Sequence, residues 1–534
     1  MDHETFIEEL QNPETFNLSS DVDIDVIQTH ISFVILTKNS AYKIKKPVDF
    51  GFLDFSTLEK RKHFCKEELR LNSRLCPELY EEIIAFTETD NGSRVEINGE
   101  GPVVEYAVKM KQFPQKNIMT HLLQQNKITT HHIDELVNEL VSFYASSPSN
   151  EEIASYGSID AVKKNIDENF DQTKDKIGIT ISKPQFDHIK EANDLFFEKQ
   201  YTVIQKRKEN GYIKSCHGDL HSGNIVLFKN SLCVFDCIEF NKRFRYIDIA
   251  SDIGFFAMDL DIQNYPFLSS YLMTQYLKKS KDTTLLSVIN LYKSYRAYVR
   301  GKVLGFQLDD PHIEEAKKQS LIDQIKTYFD LSAYYASLMV LAVEVSYPIV
   351  FMMSGLTGTG KSTVARKISV DYDAVVINTD VVRKETAGVD KYERHLDEPN
   401  KGMYSPKRVH QTYVNVMNFA KEYLEKGKNV VLDATFQKWD HRNMAHELAD
   451  DYNALVIPVY CTCPESVAKE WLENRMKSKS VSDGRWEIYQ KQKESFDMFT
   501  HDEQPLIFNT AETGYDARMH MFTSIIDRIN KEMV

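Results

Sequence analysis

The chain lacks most of what would mark it as secreted, membrane-spanning or nucleic-acid-coating. Its 7 cysteines in 534 residues are an odd, scattered set. They do not make a disulfide framework, and Cys461-x-Cys463 has no second pair to complete a zinc site. A basic excess is missing too: 65 Lys and Arg stand against 79 Asp and Glu, a net charge of −14. That balance argues against nucleic acid or an anionic lipid surface as a partner, although a local basic cleft is compatible with it. The apolar run from Leu338 to Met353 is broken by Glu344 and Pro348 and followed at once by Gly355. It therefore reads as a helix end, a linker and a first strand, with no role in a membrane. The opening Met1-Asp-His-Glu-Thr5 is acidic, without the basic flank and apolar stretch of a secretory signal. A cytoplasmic protein is the expectation.

What is present suits folded domains. Hydrophobic residues make up 42% of the chain, and its length calls for about three compact units. Ile31–Thr37 and Ala41–Ile44 alternate as two strands of a hairpin around Lys38-Asn-Ser40, Ser56–Leu75 turns helical, and Val103–Met110 resumes strand character. From Thr120 to about Ser337 the periodicity is helical, except for two short strands near Ile225–Phe228 and Leu232–Asp236. Beyond Tyr347, the strands Ile349–Ser354, Ala374–Asn378, Asn429–Leu432 and Ala454–Tyr460 alternate with helices, the pattern of a parallel sheet. No tandem repeat or low-complexity tract interrupts this order.

The most specific stretch follows the first of those strands, where Gly355-x-x-x-x-Gly360-Lys361-Ser362 is a Walker A pattern. Gly355, Gly358 and Gly360, with Thr357, Thr359 and Thr363, supply backbone N–H groups and hydroxyls around phosphate oxygens. Lys361 reaches the terminal phosphates, and Ser362 is a magnesium ligand at the helix start. Asp380 ends the second strand, where open α/β sheets place ligand-binding groups. Asp433 ends Asn429-Val-Val-Leu-Asp433, a Walker B strand that supports magnesium.

A second phosphate-transfer signature lies upstream, in His217-Gly-Asp219-Leu-His-Ser-Gly-Asn224. Asp219 is placed to accept or orient an acceptor's proton. Asn224 lies five residues on, and Asp236 ends an apolar strand where a magnesium ligand belongs. His221 lies four residues after His217, but Gly218 argues against a helix there and no third ligand is evident. His217 reads as a hydrogen-bonding brace of the loop.

This loop, with Phe235-Asp-Cys-Ile-Glu239, resembles the aminoglycoside phosphotransferase and choline kinase-like branch of the kinase superfamily. The resemblance implies that Asp219 is the catalytic base and that Asn224 and Asp236 bind magnesium. It gives Asp248, and less directly Asp252, the task of stabilising the loop. It also implies a strand lysine on the ATP phosphates, Lys43 or alternatively Lys45, paired to Glu68, with Met110–Phe113 as the hinge carrying adenine. No Gly-rich loop precedes Lys43, a departure from the wider kinase pattern.

The C-terminal segment resembles P-loop kinases related to gluconate kinase, polynucleotide 5′-kinase and zeta-toxin-like kinases. That resemblance implies Asp380 as the residue orienting the acceptor hydroxyl, with Arg383 and Arg442 as substrate-binding residues. A lid arginine, Arg475 or else Arg485, would neutralise charge on the transferred phosphoryl. The joined pair resembles bifunctional aminoglycoside phosphotransferase/ATP-binding proteins.

The expectation is therefore an α+β protein-kinase-like two-lobed domain, with an N-lobe at 1–113 and a helical C-lobe at 114–335. An α/β P-loop kinase domain with a parallel sheet follows at 346–534. The implied activity is ATP- and Mg2+-dependent phosphoryl transfer to hydroxyls of small molecules. Two other readings stand beside it: a nucleotide sensor in which one half only binds ATP, and a nucleic-acid-end or toxin-like kinase, against which the net acidity weighs. No feature of the sequence specifies an oligomeric state.

Overall fold

The computed structural model describes residues 3–89, 94–309, 313–393, 402–477 and 480–533. Its N-terminal segments alternate apolar with polar residues, so they pair into a sheet with two unlike faces. This sheet comprises β1 (Asp25–Gln28), β2 (Ser32–Leu36), β3 (Ser40–Lys45), β4 (Tyr80–Thr89), β5 (Arg94–Ile97) and β6 (Val103–Lys111), in the order β1-β2-β3-β6-β4-β5. β2 and β3 form the expected antiparallel hairpin, with Phe33 opposite Ile44. Phe33, Ile35, Tyr42 and Ile44 bury one face together with Phe6 and Phe86. Helix α1 (Leu58–Asn72) covers the other, packed on β4 and β6. Thr57 begins the helix, its hydroxyl accepting the Lys60 N–H at 3.3 Å.

Two small ribbons follow. β7 (Ile213–Ser215) pairs with β10 (Tyr246–Asp248), and β8 (Ile225–Phe228) pairs with β9 (Ser231–Val234). Between them runs the loop that carries Asp219. Its base is held by Arg207, fully buried, whose Nε and Nη2 donate to Asp248 at 2.7 and 2.8 Å. Cys76 and Cys233 are bonded, with Cα atoms 5.4 Å apart. A scattered set of seven gave no reason to expect that pairing. These segments belong to one compact unit, Met1–Asn165 with Ile204–Asp259.

The second unit is Ile166–Val203 with Leu260–Val534. Its five strands, β11 (Ile349–Ser354), β12 (Val375–Asn378), β13 (Val430–Asp433), β14 (Leu455–Thr462) and β15 (Leu506–Asn509), are parallel in the order β12-β13-β11-β14-β15. Every residue of β11 is buried, as a central parallel strand covered on both faces must be. Strand order reverses beside β11, so the ends of β11 and β13 open onto the crevice where such sheets bind ligands. Helix α2 (Lys361–Asp371) leaves this point, followed by α3 (Thr379–Thr386), α4 (Glu465–Met476) and α5 (Trp486–Ser495).

The helices after Leu260 group with the P-loop half, a division different from the sequence segments. Helix 266–280 packs on α2, and buried charges pair among the helices of this unit. Lys293 lies 2.6 Å from Asp261, Lys367 pairs with Asp371, and the Tyr334 hydroxyl donates to Asp371 at 2.7 Å. Among the described residues, no helix is long and apolar enough to cross a membrane.

Removing one partner of a buried, bidentate ion pair strands the other charge without water. Arg207→Met should therefore lower the stability of the first unit by about 3 kcal/mol in chemical denaturation. A loss below about 1 kcal/mol, the range of a surface pair, would show that Asp248 does not depend on this partner.

Candidate functional site

The first site begins with strand alternation. Lys43 and Lys45, two residues apart on β3, point to the same face, and α1 sets Glu68 between them. Lys43 Nζ lies 2.8 Å from Glu68 Oε1, and Lys45 Nζ lies 2.8 Å from Glu68 Oε2. Lys43 also pairs with Asp236, and Lys45 with Glu239. The two alternatives thus take different positions. Lys45 is sealed among two carboxylates and the Phe55 ring, whereas Lys43 touches the strand-end Asp236. Burial alone would raise the Glu68 carboxyl, but the two ammoniums outweigh it and hold it down to about 2. Burial likewise opposes charge on both lysines, and their carboxylates reverse that, raising each. For Glu239 burial wins, and its carboxyl is raised.

The loop that presents Asp219 is fixed by main-chain bonds to acidic side chains. Asp252 accepts the His217 and Gly218 N–H groups at 2.7 and 2.8 Å, and Asp259 accepts that of Ser222 at 2.8 Å. Asp252 bonds the loop N–H groups directly, whereas Asp248 acts one step away, through Arg207 and the Ala250 N–H at the base of the loop. Gly218 has φ +92°, and a Cβ there would meet the Phe244 carbonyl at 2.7 Å, so the turn admits only glycine.

His217 is the brace its position suggested. Its Nδ1 accepts the Asp219 N–H at 3.2 Å, which leaves Nε2–H to donate to the Phe235 carbonyl at 2.9 Å. Burial lowers its pKa, in keeping with the neutral ring that an Nδ1 accepting a main-chain N–H requires. One imidazole therefore joins the Asp219 turn to the strand end before Asp236. Asn224 Nδ2 donates to the Asp219 carbonyl and to Asp219 Oδ2, both at 2.9 Å. Asp236 itself stands at φ +64°, its N–H donating to the Tyr80 hydroxyl at 3.2 Å. In the segment expected to form the hinge, Phe113 packs edge-on against Phe235.

The second site is built at the end of β11. Gly355 has φ +133°, and a Cβ would run into the Cys461 carbonyl at 2.3 Å. The turn continues through Gly358 and Gly360, both at positive φ, into α2. Thr359 donates its hydroxyl to the Leu356 carbonyl at 2.9 Å, and the Thr357 N–H donates to Gln492 on α5 at 2.8 Å. Lys361 Nζ donates to the Leu356 carbonyl at 2.6 Å. Burial lowers the Lys361 pKa, with Asp433 acting against it.

Asp433 is buried, which raises its carboxyl, while bonds from Ser362 and from Asn378 Nδ2, the latter at 2.6 Å, act the other way. Ser362 and Asp433, far apart in sequence, are thus neighbours. Asp380 pairs with Arg383 at 2.6 Å, and Arg383 lies over the Tyr404 ring. Arg475 is within electrostatic reach of Asp380, Asp433 and Lys361; burial pulls its pKa down and the two carboxylates pull it up. The other lid candidate, Arg485, lies 3.6 Å from Glu487 in a surface pair.

Arg442 does not join this group. It is fully buried, and its five N–H donors are spent on Glu503, Phe436 O, Asp497 O and Met498 O. It ties the helix after β13 to the segment 497–503, so the substrate-binding role expected of it is corrected to a structural one.

The donor sets fit a nucleotide with a hard divalent cation. Each pairs one carboxylate with a neutral oxygen, Asp236 with Asn224 and Asp433 with Ser362. Among the described residues no cluster of three or more His, Cys, Asp or Glu is arranged to hold a metal. Magnesium characteristically takes one or two carboxylates and completes its shell from substrate phosphates and water. Sequence reasoning offered Lys45 only as an alternative to Lys43 and gave Glu239 no role of its own, and it passed over Asn378 and Tyr404. The Lys-x-Lys spacing on β3 was a usable signal, whereas Asn378 and Tyr404 gain meaning only from the fold.

A family model described as an AAA domain matches residues 350–499. Uncharacterized proteins of Mycobacterium tuberculosis and Mycobacterium bovis are each 27% identical over 444 residues, which is 83% of this chain and 84% of theirs. A gluconokinase structure from Sinorhizobium meliloti covers 35% of this chain and 96% of its own at 17% identity, with a TM-score of 0.25. A choline/ethanolamine kinase family protein from Mesorhizobium loti covers 62% and 98% at 11% identity, with a TM-score of 0.36. Fold and motif define a P-loop nucleotide-binding unit, with its parallel sheet and Gly355–Ser362 turn, joined to a unit built on a six-stranded antiparallel sheet.

The contrast between two arginines is testable. Arg442→Met should lower the stability of the second unit by about 3 kcal/mol. Arg475→Ala, at a partly exposed side chain, should cost less stability than Arg442→Met and reduce any phosphoryl transfer at the P-loop site at least about tenfold. Equal stability losses in the two variants would contradict the assignment.

Proposed function

We propose that the chain is an ATP- and Mg2+-dependent phosphotransferase with two sites, each passing a terminal phosphoryl group to a hydroxyl of a small molecule. One observation carries the reading. Each unit independently gathers a partly buried lysine, a strand-end carboxylate and a second oxygen donor beside a loop suited to phosphate chemistry. Phosphoryl transfer needs little covalent help from a protein beyond such positioning and charge.

In the first site, Lys43, held by Glu68, grips the nucleotide phosphates, and Asn224 and Asp236 hold the cation. Asp219 accepts the proton of the acceptor hydroxyl. In the second, the N–H groups of the 355–363 turn and Lys361 cradle the phosphates, and Ser362 and Asp433 serve the cation. Asp380 orients the acceptor, Arg383 steadies Asp380, and Arg475 offsets charge developing on the transferred group. Bound magnesium would neutralise phosphate charge in both places. We assign the first activity to 1–335, as N-lobe 1–113 and C-lobe 114–335, and the second to 346–534, with the cytoplasm as the compartment where ATP is supplied.

Asp219→Asn and Lys361→Ala should each abolish one separable ATP-dependent transfer, lowering its rate at least about a hundredfold while the other persists. A metabolite-library screen with labelled ATP, run on the full chain and on each variant, reads this directly. Tight retention of ATP without turnover at either site would overturn the reading in favour of nucleotide sensing.

A further inference from the structure

The second histidine of the loop, His221, hydrogen-bonds to its own loop and faces Asp219. Its Nδ1 accepts the Gly223 N–H at 3.0 Å, closing the short turn Ser222–Asn224. A backbone N–H has only one role, so Nδ1 is the acceptor. The neutral ring must then carry its proton on Nε2, and Nε2 lies 3.4 Å from Asp219 Oδ2. The same oxygen receives Asn224 Nδ2 at 2.9 Å. The imidazole is itself held in place, largely buried beside the Phe255 ring, with 13% of its side chain exposed against 38% for Asp219.

We propose that His221 is a positioning residue for the first site, fixing the Asp219 carboxylate through Oδ2 so that its orientation toward the acceptor hydroxyl is set before substrate arrives. The proposal rests on the reading of Asp219 as the proton acceptor. Asn224 donates to Oδ2 at 2.9 Å and the His221 ring N–H faces the same oxygen at 3.4 Å, so a small shift of the ring places two donors on one oxygen and restricts the rotation of the carboxylate plane. Gly223 fixes which ring nitrogen faces Asp219. The turn thus does more than connect Asp219 to Asn224, because its own main chain selects the histidine tautomer that serves the carboxylate. Second-sphere bonds of this kind fix the orientation of the groups that do the chemistry.

Two conservative variants separate this role from simple bracing of the turn. The amide oxygen of Asn overlays Nδ1 of histidine, so His221→Asn keeps the bond from Gly223 and loses the donor to Asp219. The amide nitrogen of Gln overlays Nε2, so His221→Gln keeps the donor to Asp219 and loses the turn bond. Phosphate release from Mg-ATP is measured on the full chain carrying Lys361→Ala, which silences the second site.

Positioning predicts that His221→Ala and His221→Asn lower kcat at least about tenfold with KM for ATP within about twofold, and that His221→Gln recovers to within about threefold of the parent. Recovery by Asn with failure of Gln, or parent-like kcat in all three, overturns the proposal. Asp219→Asn, run alongside, tests the underlying reading separately: parent-like kcat in that variant removes Asp219 as the acceptor while leaving the tautomer question decidable. For that question, ring 15N shifts of 15N-histidine-labelled protein near about pH 8 should report His221 with its proton on Nε2, and a proton on Nδ1 overturns the proposal.

Discussion

An ammonium group taken out of water must meet a counter-charge or lose its proton, and the arrangement of both candidate sites follows from how that demand is met. At the first site the partners are carboxylates. Glu68 bridges Lys43 and Lys45, and Asp236 and Glu239 complete the cluster. This is why α1 must lie against the sheet, why β3 must carry both lysines on one face, and why the strand end at Asp236 must reach back to β3. At the second site the nearest partner of Lys361 is a main-chain carbonyl, with Asp433 acting from farther off. Burial therefore prevails there, and the ammonium is best satisfied by an anion in the loop that surrounds it.

The same contrast separates the two proposed phosphate grips. The first is a side-chain network whose members come from Lys43 to Glu239, a span that only the folded unit brings together. The second is a local turn of main-chain N–H groups at a helix start, made possible by glycines at positive φ, with Asp433 and Asn378 delivered by neighbouring parallel strands. A local turn is robust to changes elsewhere in the fold. A dispersed network depends on every element that positions it, and buried pairs such as Arg207 with Asp248 hold the base of that network.

Legibility in the sequence followed this distinction. The Walker A turn, the strand Ile349–Ser354 and the His217–Asn224 loop are local patterns whose residue types have few other uses, and each lies where the spacing placed it. The hairpin of β2 and β3 was readable from alternation. β4, β5 and the ribbon of β7 with β10 were not, because short strands such as Ile213–Ser215 carry too few residues for a period to emerge. β15 was likewise missed. Arg442 was misjudged for an instructive reason: a motif position says nothing about burial, and its destination, Glu503, lies 61 residues away. The choice between Lys43 and Lys45 also needed the third dimension, since both face Glu68 and only the partners beyond it differ. The Asp252 bonds to the loop N–H groups were visible only once the helix start at Ile249 had been placed.

The central claim is that one polypeptide holds two independent nucleotide pockets. Calorimetric titration of the full chain with a non-hydrolysable ATP analogue and Mg2+ tests it most directly. The account predicts two binding events per chain, with Lys43→Ala removing one, Lys361→Ala the other, and the pair together removing both. A single event in the parent protein, or two events that both persist in Lys361→Ala, would contradict it.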